Sequence, residues 1–164
     1  MNILYKSKRV GKNGQVFSMY KFRTLKHNVD GISSFAQKDQ YTRFGKFLRK
    51  TKIDELPQLL NVLKGDMSVF SYRPEEERAY RLLPASMRLL LSQERPGIID
   101  LASLHFMDEE SLLQVGDPHK TYWEKVRPLK FTLQMFYMQN RSWLLNAAII
   151  WTYIKKTLWS LFRK

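Results

Sequence analysis

The run Thr51-Lys52-Ile53-Asp54-Glu55-Leu56-Pro57-Gln58-Leu59-Leu60-Asn61 sets two adjacent carboxylates beside a proline and among cations. Proline lacks an N–H and clashes with the preceding turn, so it belongs at the start of a helix rather than its interior. A helix starting near Asp54 would therefore hold Pro57 in its first turn, where that N–H would be unpaired anyway. Free backbone N–H groups and the helix dipole would then keep Asp54 ionised. An ionised carboxylate can attack phosphorus, and its neighbour Glu55 can hold Mg²⁺ against a diphosphate. Neighbouring side chains on a helix diverge, so the pair suits two roles rather than one. An Asp at a helix start also serves simply as a cap, and the residues alone leave that reading open. The surroundings favour a phosphate: Arg43, Lys46, Arg49, Lys50 and Lys52 come just before the pair, and Arg73 follows it.

The elements that would position these groups are short. Gly11-Lys12-Asn13-Gly14 is a turn cluster, and Gln15–Phe22 alternates apolar and polar residues, which predicts a hairpin over 7–25. Residues 26–40 read as a loop. Thr42–Lys50 carries Phe44, Phe47 and Leu48 at helical spacing, and Leu56–Leu63 forms a second short helix stopped by Gly65. Residues 69–74 read as strand or irregular, because Pro74 holds Arg73 away from helix. Helix is expected over 75–94 with a break near Pro84, then a turn at Arg95-Pro96-Gly97 and a strand over Ile98–Leu104. Short helices follow over Asp108–Val115 and Thr121–Arg127, and one or two amphipathic helices fill about 129–162. The fold class is α+β, a single domain over 1–164 with short helices around a small sheet or hairpin and C-terminal amphipathic helices. No Gly-rich loop follows a strand as a doubly wound nucleotide fold requires.

Composition bounds the function. The chain has 164 residues, enough for one domain with a core, and 44% hydrophobic residues, which is globular rather than disordered. It has no cysteine, which rules out disulfides and thiolate metal sites and fits a cytosolic setting. Net charge is +13, of which +11 falls on residues 1–52, so the first third should attract a polyanion. Nucleic acid is not expected, since no groove-reading motif or aromatic stacking platform is present. His27, His105 and His119 are too scattered for a metal site. Glu75-Glu76-Glu77 and Asp108-Glu109-Glu110 read as solvated helix starts.

Five segments stand in order: Phe17-Ser18-Met19-Tyr20-Lys21-Phe22-Arg23-Thr24, Gly45–Thr51, Asp54–Val62, Gly65-Asp66-Met67-Ser68 and Arg73-Pro74-Glu75. Together they resemble the bacterial sugar transferase family, the monotopic polyprenyl-phosphate phosphoglycosyl transferases. The similarity is close over about 6–104 and looser through Tyr122–Ile154. It implies that Asp54 is the nucleophile on the β-phosphate of a UDP-sugar, releasing UMP and leaving a phosphosugar on the enzyme. Polyprenyl phosphate, typically undecaprenyl phosphate, would then take the phosphosugar. Such a step begins exopolysaccharide, capsule, O-antigen or glycoprotein glycan synthesis. The resemblance further implies that Glu55 binds Mg²⁺ and that Arg73 contacts nucleotide or phosphate, with Lys21, Arg23 and Arg49 as phosphate neighbours.

Three features depart from the family pattern. The hydrophobic re-entrant helix with which the family begins has no counterpart before Met1 in this sequence. The family's Val-Gly-Pro-Arg-Pro reads Phe70-Ser71-Tyr72-Arg73-Pro74, and its Pro-Gly-Ile-Thr-Gly reads Pro96-Gly97-Ile98-Ile99-Asp100. Lost glycines restrict close backbone approach to a ligand. The alternative is therefore a truncated or non-catalytic relative that binds a membrane or an assembly partner. In either case the expected place is the cytoplasmic face of the bacterial inner membrane, peripheral or monotopic. The longest charge-free run near the end, Ser142–Ile154, is shorter than the roughly 20 residues a span takes. Trp143, Leu144, Ala147, Ile150, Trp151, Ile154, Leu158 and Trp159 share one helical face, flanked by Lys155, Lys156, Arg163 and Lys164, as in a helix lying on an anionic membrane surface. The other reading of that face is an ordinary core helix with Trp123, Trp143, Trp151 and Trp159 packed inward; a homo-oligomer or membrane partner is a separate expectation.

Overall fold

The computed structural model describes residues 3–26, 40–107 and 117–162, without the side chains of 118, 119 and 160–162. Its contacts divide the chain into two compact units. The first holds Met1–Arg23 and Lys52–Asp100, and the second holds Thr24–Thr51 and Leu101–Lys164. Together their elements are α+β, with helix predominating over two small sheets.

In the first unit, β1 (Leu4–Val10) and β2 (Val16–Phe22) form an antiparallel hairpin in the register Leu4 opposite Phe22 and Val10 opposite Val16. The expected hairpin is present, displaced a few residues toward the N-terminus. Asn13 and Gly14 both take positive φ in the turn, which the Asn-Gly pair tolerates. The free edge of β2 is met by a side chain rather than a strand. Asn61 accepts from the Tyr20 N–H at 3.1 Å through Oδ1, and its Nδ2 donates to the Ser18 carbonyl at 2.8 Å. These bonds fasten the segment bearing the carboxylate pair to the hairpin.

That segment is not the continuous α-helix expected from Asp54 onward. Lys52 sits in the left-handed region at φ 59°, a 3-10 helix runs Ile53–Gln58, and only then does α2 (Leu59–Leu63) begin. Pro57 explains the delay, since it has no N–H to close an α turn and its ring crowds the turn before it. Gly65, at φ +81°, ends α2 as its position suggested. Strand β3 (Ser68–Phe70) pairs in parallel with β4 (Gly97–Ile99). Between them lie α3 (Glu77–Arg81) and α4 (Ala85–Ser92), separated at Pro84 as expected. Gly97 is required here, because a Cβ would lie 2.2 Å from the Ser71 backbone nitrogen.

In the second unit, α1 (Arg43–Thr51) is capped by Thr42, whose Oγ1 accepts from the Gly45 N–H at 2.8 Å. The segment expected to continue β4 as a strand to Leu104 instead forms α5 (Leu101–His105), so the strand ends at Ile99. Parallel pairing with β3 covers only Gly97 to Ile99, leaving the following residues without a ladder. A short helix α6 (Pro118–Thr121) passes through a π turn (Tyr122–Val126) into α7 (Arg127–Gln139). After Asn140-Arg141-Ser142, α8 runs Trp143–Phe162. Phe106 and Val126 make a buried cluster with Tyr122 and Leu133 against it. Tyr137 donates to Asn146 Oδ1 at 2.6 Å, and Lys156 donates to the Leu104 carbonyl at 3.1 Å, tying α8 to α7 and α5. Residues 27–39 of the loop expected over 26–40, and the helix expected over 108–115, lie outside the described residues, as do the cations Arg163 and Lys164.

Candidate active site

The first unit collects Lys21, Asp54, Glu55 and Arg73. Lys21 comes from β2, the two carboxylates from the 3-10 turn, and Arg73 from the extended segment after β3. Pro74 keeps Arg73 out of helix, and the Arg73 backbone N–H donates to Asp100 Oδ2 at 3.0 Å, while the Arg73 side chain reaches Glu55. Its guanidinium forks onto Glu55, Nη2 to Oε1 at 2.6 Å and Nη1 to Oε2 at 3.0 Å. Lys21 Nζ lies 3.9 Å from the same Oε1. Burial alone would raise the Glu55 carboxyl; Arg73, then Lys21, outweigh it and hold Glu55 well below the usual carboxylate range. Burial, with Arg73 adding to it and Glu55 opposing, brings Lys21 down to about 7.

Asp54 is 4% exposed and its Oδ1 is fully buried. Lys52, not Asp54, holds the cap position of this turn. Asp54, Gln58 and Asn61 recur at spacings of four and three, and all are buried on the side toward the hairpin. The remaining candidates, Arg23 and Arg49, each lie against an aromatic ring. Arg23 follows β2 with its guanidinium 5.7 Å from the centre of the Tyr5 ring. Arg49 belongs to the second unit, on α1, 4.9 Å from the centre of the Tyr41 ring. A cleft of about 240 Å³ lined by Lys12, Phe17, Asp66 and Arg95, among others, contains none of Lys21, Asp54, Glu55 or Arg73.

Two residues of this neighbourhood were not singled out from the sequence. Arg9 on β1 pairs with Glu76 at 2.9 Å and adds positive potential at Lys21. Asp100, 1% exposed, anchors the Arg73 backbone. Period-two spacing puts Arg9 on one hairpin face, but nothing local in the sequence ties it to Arg73. Asp100 stood out only as a departure from a family motif.

Chemically, the cluster joins a carboxylate fixed in its ionised form to two cations, in a half-buried setting where charge interactions are strong. Glu55 offers hard oxygen donors of the kind Mg²⁺ prefers, but both oxygens accept from Arg73. Among the described residues no group of three or more His, Cys, Asp or Glu gathers as a metal cage.

Comparison with known proteins supplies the class. The bacterial sugar transferase family model matches residues 1–160, and the chain belongs to that family. It is 33% identical over 157 residues to the uncharacterized sugar transferase EpsL of Bacillus subtilis (strain 168), covering 95% of this chain and 70% of the relative. A putative undecaprenyl-phosphate N-acetylgalactosaminyl 1-phosphate transferase of the same organism is 44% identical over 99 residues, covering 56% of this chain and 55% of the relative. The UDP-N-acetylgalactosamine-undecaprenyl-phosphate N-acetylgalactosaminephosphotransferase of Aeromonas hydrophila is 32% identical over 161 residues, covering 95% of this chain and 35% of the relative. The chain thus spans between 35% and 70% of the length of these relatives.

Proposed function

We propose that the chain transfers a sugar 1-phosphate from a UDP-sugar to a polyprenyl phosphate, undecaprenyl phosphate in the first instance. Asp54 attacks the β-phosphorus, the bond to the bridging oxygen breaks, and UMP leaves with that oxygen. The acceptor phosphate then attacks the phosphosugar on Asp54 and frees the carboxylate. Arg73 and Lys21 bind the diphosphate and balance the charge that develops at phosphorus. Glu55 positions both cations. Glu55 would hold Mg²⁺ with an oxygen not engaged by Arg73, and the ion would screen the diphosphate charge. The product would begin an exopolysaccharide, capsule, O-antigen or glycoprotein glycan at the cytoplasmic face of the inner membrane.

The observation that carries this reading is the Lys21–Glu55–Arg73 cluster, adjacent in sequence to Asp54, within a segment that matches the family. Attachment to an anionic membrane surface is supported by α8. Its residues Trp143, Leu144, Ile150, Trp151, Ile154, Leu158 and Trp159 are exposed, with Lys155 and Lys156 beside them. The neighbouring α1 exposes Phe44 and Phe47 among basic residues. No helix of the described residues is long and apolar enough to cross a membrane.

The burial of Asp54 favours a second reading, a non-catalytic module that binds membrane or an assembly partner. Incubation with Mg²⁺, polyprenyl phosphate and a panel of UDP-sugars separates the two. Release of UMP from one donor supports transfer, whereas vesicle binding with no UMP from any donor supports the module.

A further inference from the structure

Asp54, Gln58 and Asn61 are buried together on the side toward the hairpin, but the fold does not use the two amides alike. Asn61, 0% exposed, is fully engaged. Its Oδ1 accepts from the Tyr20 N–H, and its Nδ2 donates to the Ser18 carbonyl and, at 3.1 Å, to Asp66 Oδ2. Gln58 is equally buried, yet neither its Nε2 nor its Oε1 has a hydrogen-bond partner among the described residues. A buried amide without bonds destabilises a fold, so an apolar side chain of the same length would be the better core residue at this place. A polar group that does not serve the resting fold calls for a use in another state of the molecule.

The place of Gln58 says which state. Asp54, Pro57 and Gln58 are the buried residues of the 3-10 turn, and Asp54 Oδ1 is fully buried with them. Gln58 follows Asp54 by four residues, a spacing at which a Gln amide reaches an Asp carboxylate along a helix. We propose that Gln58 is a positioning residue for the nucleophile: its Nε2–H donates to Asp54 Oδ1 when a UDP-sugar is bound, so that Oδ2 is the oxygen that attacks. This inference rests on the transferase reading. The two oxygens of a carboxylate are equivalent until a hydrogen bond holds one of them, and holding Oδ1 leaves Oδ2 aimed at phosphorus. In the step, Oδ2 forms a bond to the β-phosphorus, the bond to the bridging oxygen breaks with its electron pair, and UMP leaves with that oxygen. Oδ1 becomes the carbonyl oxygen of the acyl phosphate and still accepts from Nε2. Attack by the lipid phosphate returns the Oδ2–phosphorus electron pair to the carboxylate. A neutral amide orients Asp54 without gripping its charge as a guanidinium would, which keeps the carboxylate nucleophilic. Because Gln58 acts through Asp54, it governs the rate of attack rather than the affinity for the UDP-sugar.

The test compares the full chain with Gln58→Met, which keeps the length of the side chain and removes both polar atoms. Three quantities are measured on each: the urea midpoint, the dissociation constant for a UDP-sugar, and the rate of phosphosugar formation in a single turnover with Mg²⁺ and no lipid acceptor. The variant is expected to have a midpoint no lower than wild type, because no bonded amide is lost, and an unchanged dissociation constant. Phosphosugar formation should slow at least about tenfold, the worth of one hydrogen bond to a charged oxygen. A lower midpoint would show that the amide is bonded in the resting chain, and it overturns the inference. An unchanged rate overturns it too, as does a loss confined to affinity. A second measurement needs no variant. In wild type with isotope-labelled glutamine side chains, the Gln58 amide proton should move downfield as the phosphosugar forms on Asp54. A Gln58 resonance that stays in place while the intact mass shows the phosphosugar overturns the inference. Wild type that takes no phosphosugar from any donor removes the transferase reading and this inference with it, whereas an active wild type matched by Gln58→Met removes the inference alone.

Discussion

Arg73 grips Glu55 with both arms of its guanidinium, at 2.6 and 3.0 Å, and the two side chains are only 23% and 15% exposed. Breaking such a pair from one side leaves a charge without its partner in a poorly solvated place. Arg73→Gln is therefore expected to lower stability by about 3–5 kcal/mol, and Glu55→Gln by a similar amount. The double variant should lose less than either single one, since neither orphan remains. Urea unfolding of the four proteins measures this, and additive losses would show that the pair does not act as a unit.

Exchange of Arg73 for a metal ion on Glu55 makes a prediction of its own. If the guanidinium competes with the cation, Arg73→Gln should bind Mn²⁺ more tightly than wild type in the absence of donor, by at least about tenfold. Calorimetry or electron paramagnetic resonance reads the binding without any turnover. Equal or weaker binding would place the metal elsewhere.

Lys21 supplies a pH dependence. Its ordinary value is 10.5, and burial beside Arg73 lowers it to about 7 in the folded chain. Between these values the unfolded chain holds the proton that the folded chain has released, so this group makes stability rise with pH across that window. The positive charge that the folded chain offers to a diphosphate falls around pH 7, at the lower edge of that window. The dissociation constant for a UDP-sugar should accordingly increase from about pH 6 to about pH 8, by roughly three- to tenfold. Lys21→Arg, whose guanidinium stays charged, should flatten that curve.

Gly45 illustrates how a motif residue can be structural. A Cβ there would lie 2.1 Å from the Thr24 carbonyl oxygen, which also accepts from Thr42 N–H at 3.0 Å. Gly45→Ala must push α1 off that backbone, and a loss of about 1–3 kcal/mol is expected in thermal unfolding. An unchanged midpoint would mean that the contact yields freely.

The hairpin, the helix at Arg43–Thr51, the break at Pro84 and the long final helix were legible because each has a local cause: Asn-Gly, the spacing of Phe44, Phe47 and Leu48, proline, and periodic tryptophans and isoleucines. The onset of α2 was not, because the left-handed Lys52 and the 3-10 turn arise where Pro57 conflicts with apolar periodicity that reads as one helix. Leu101–His105 misled because short apolar runs do not distinguish strand from helix. At the site, residue types pointed to Glu55 and Arg73 and the family resemblance added Lys21, and the fold brings these three together. The roles of Arg9 and Asp100 depend on long-range pairing that spacing does not encode. The leucines at 56, 59, 60 and 63 read as a short apolar helix, and their exposure shows that periodicity marks a side without saying which way it turns.

The intact mass of the protein, taken after incubation with a UDP-sugar and Mg²⁺ but no lipid acceptor, bears most directly on the role of Asp54. An increment equal to one sugar phosphate, localised by peptide mapping to Asp54 and missing in Asp54→Asn, is the expected result. Turnover with UMP release that continues in Asp54→Asn, or a phosphosugar found on any other residue, would contradict it.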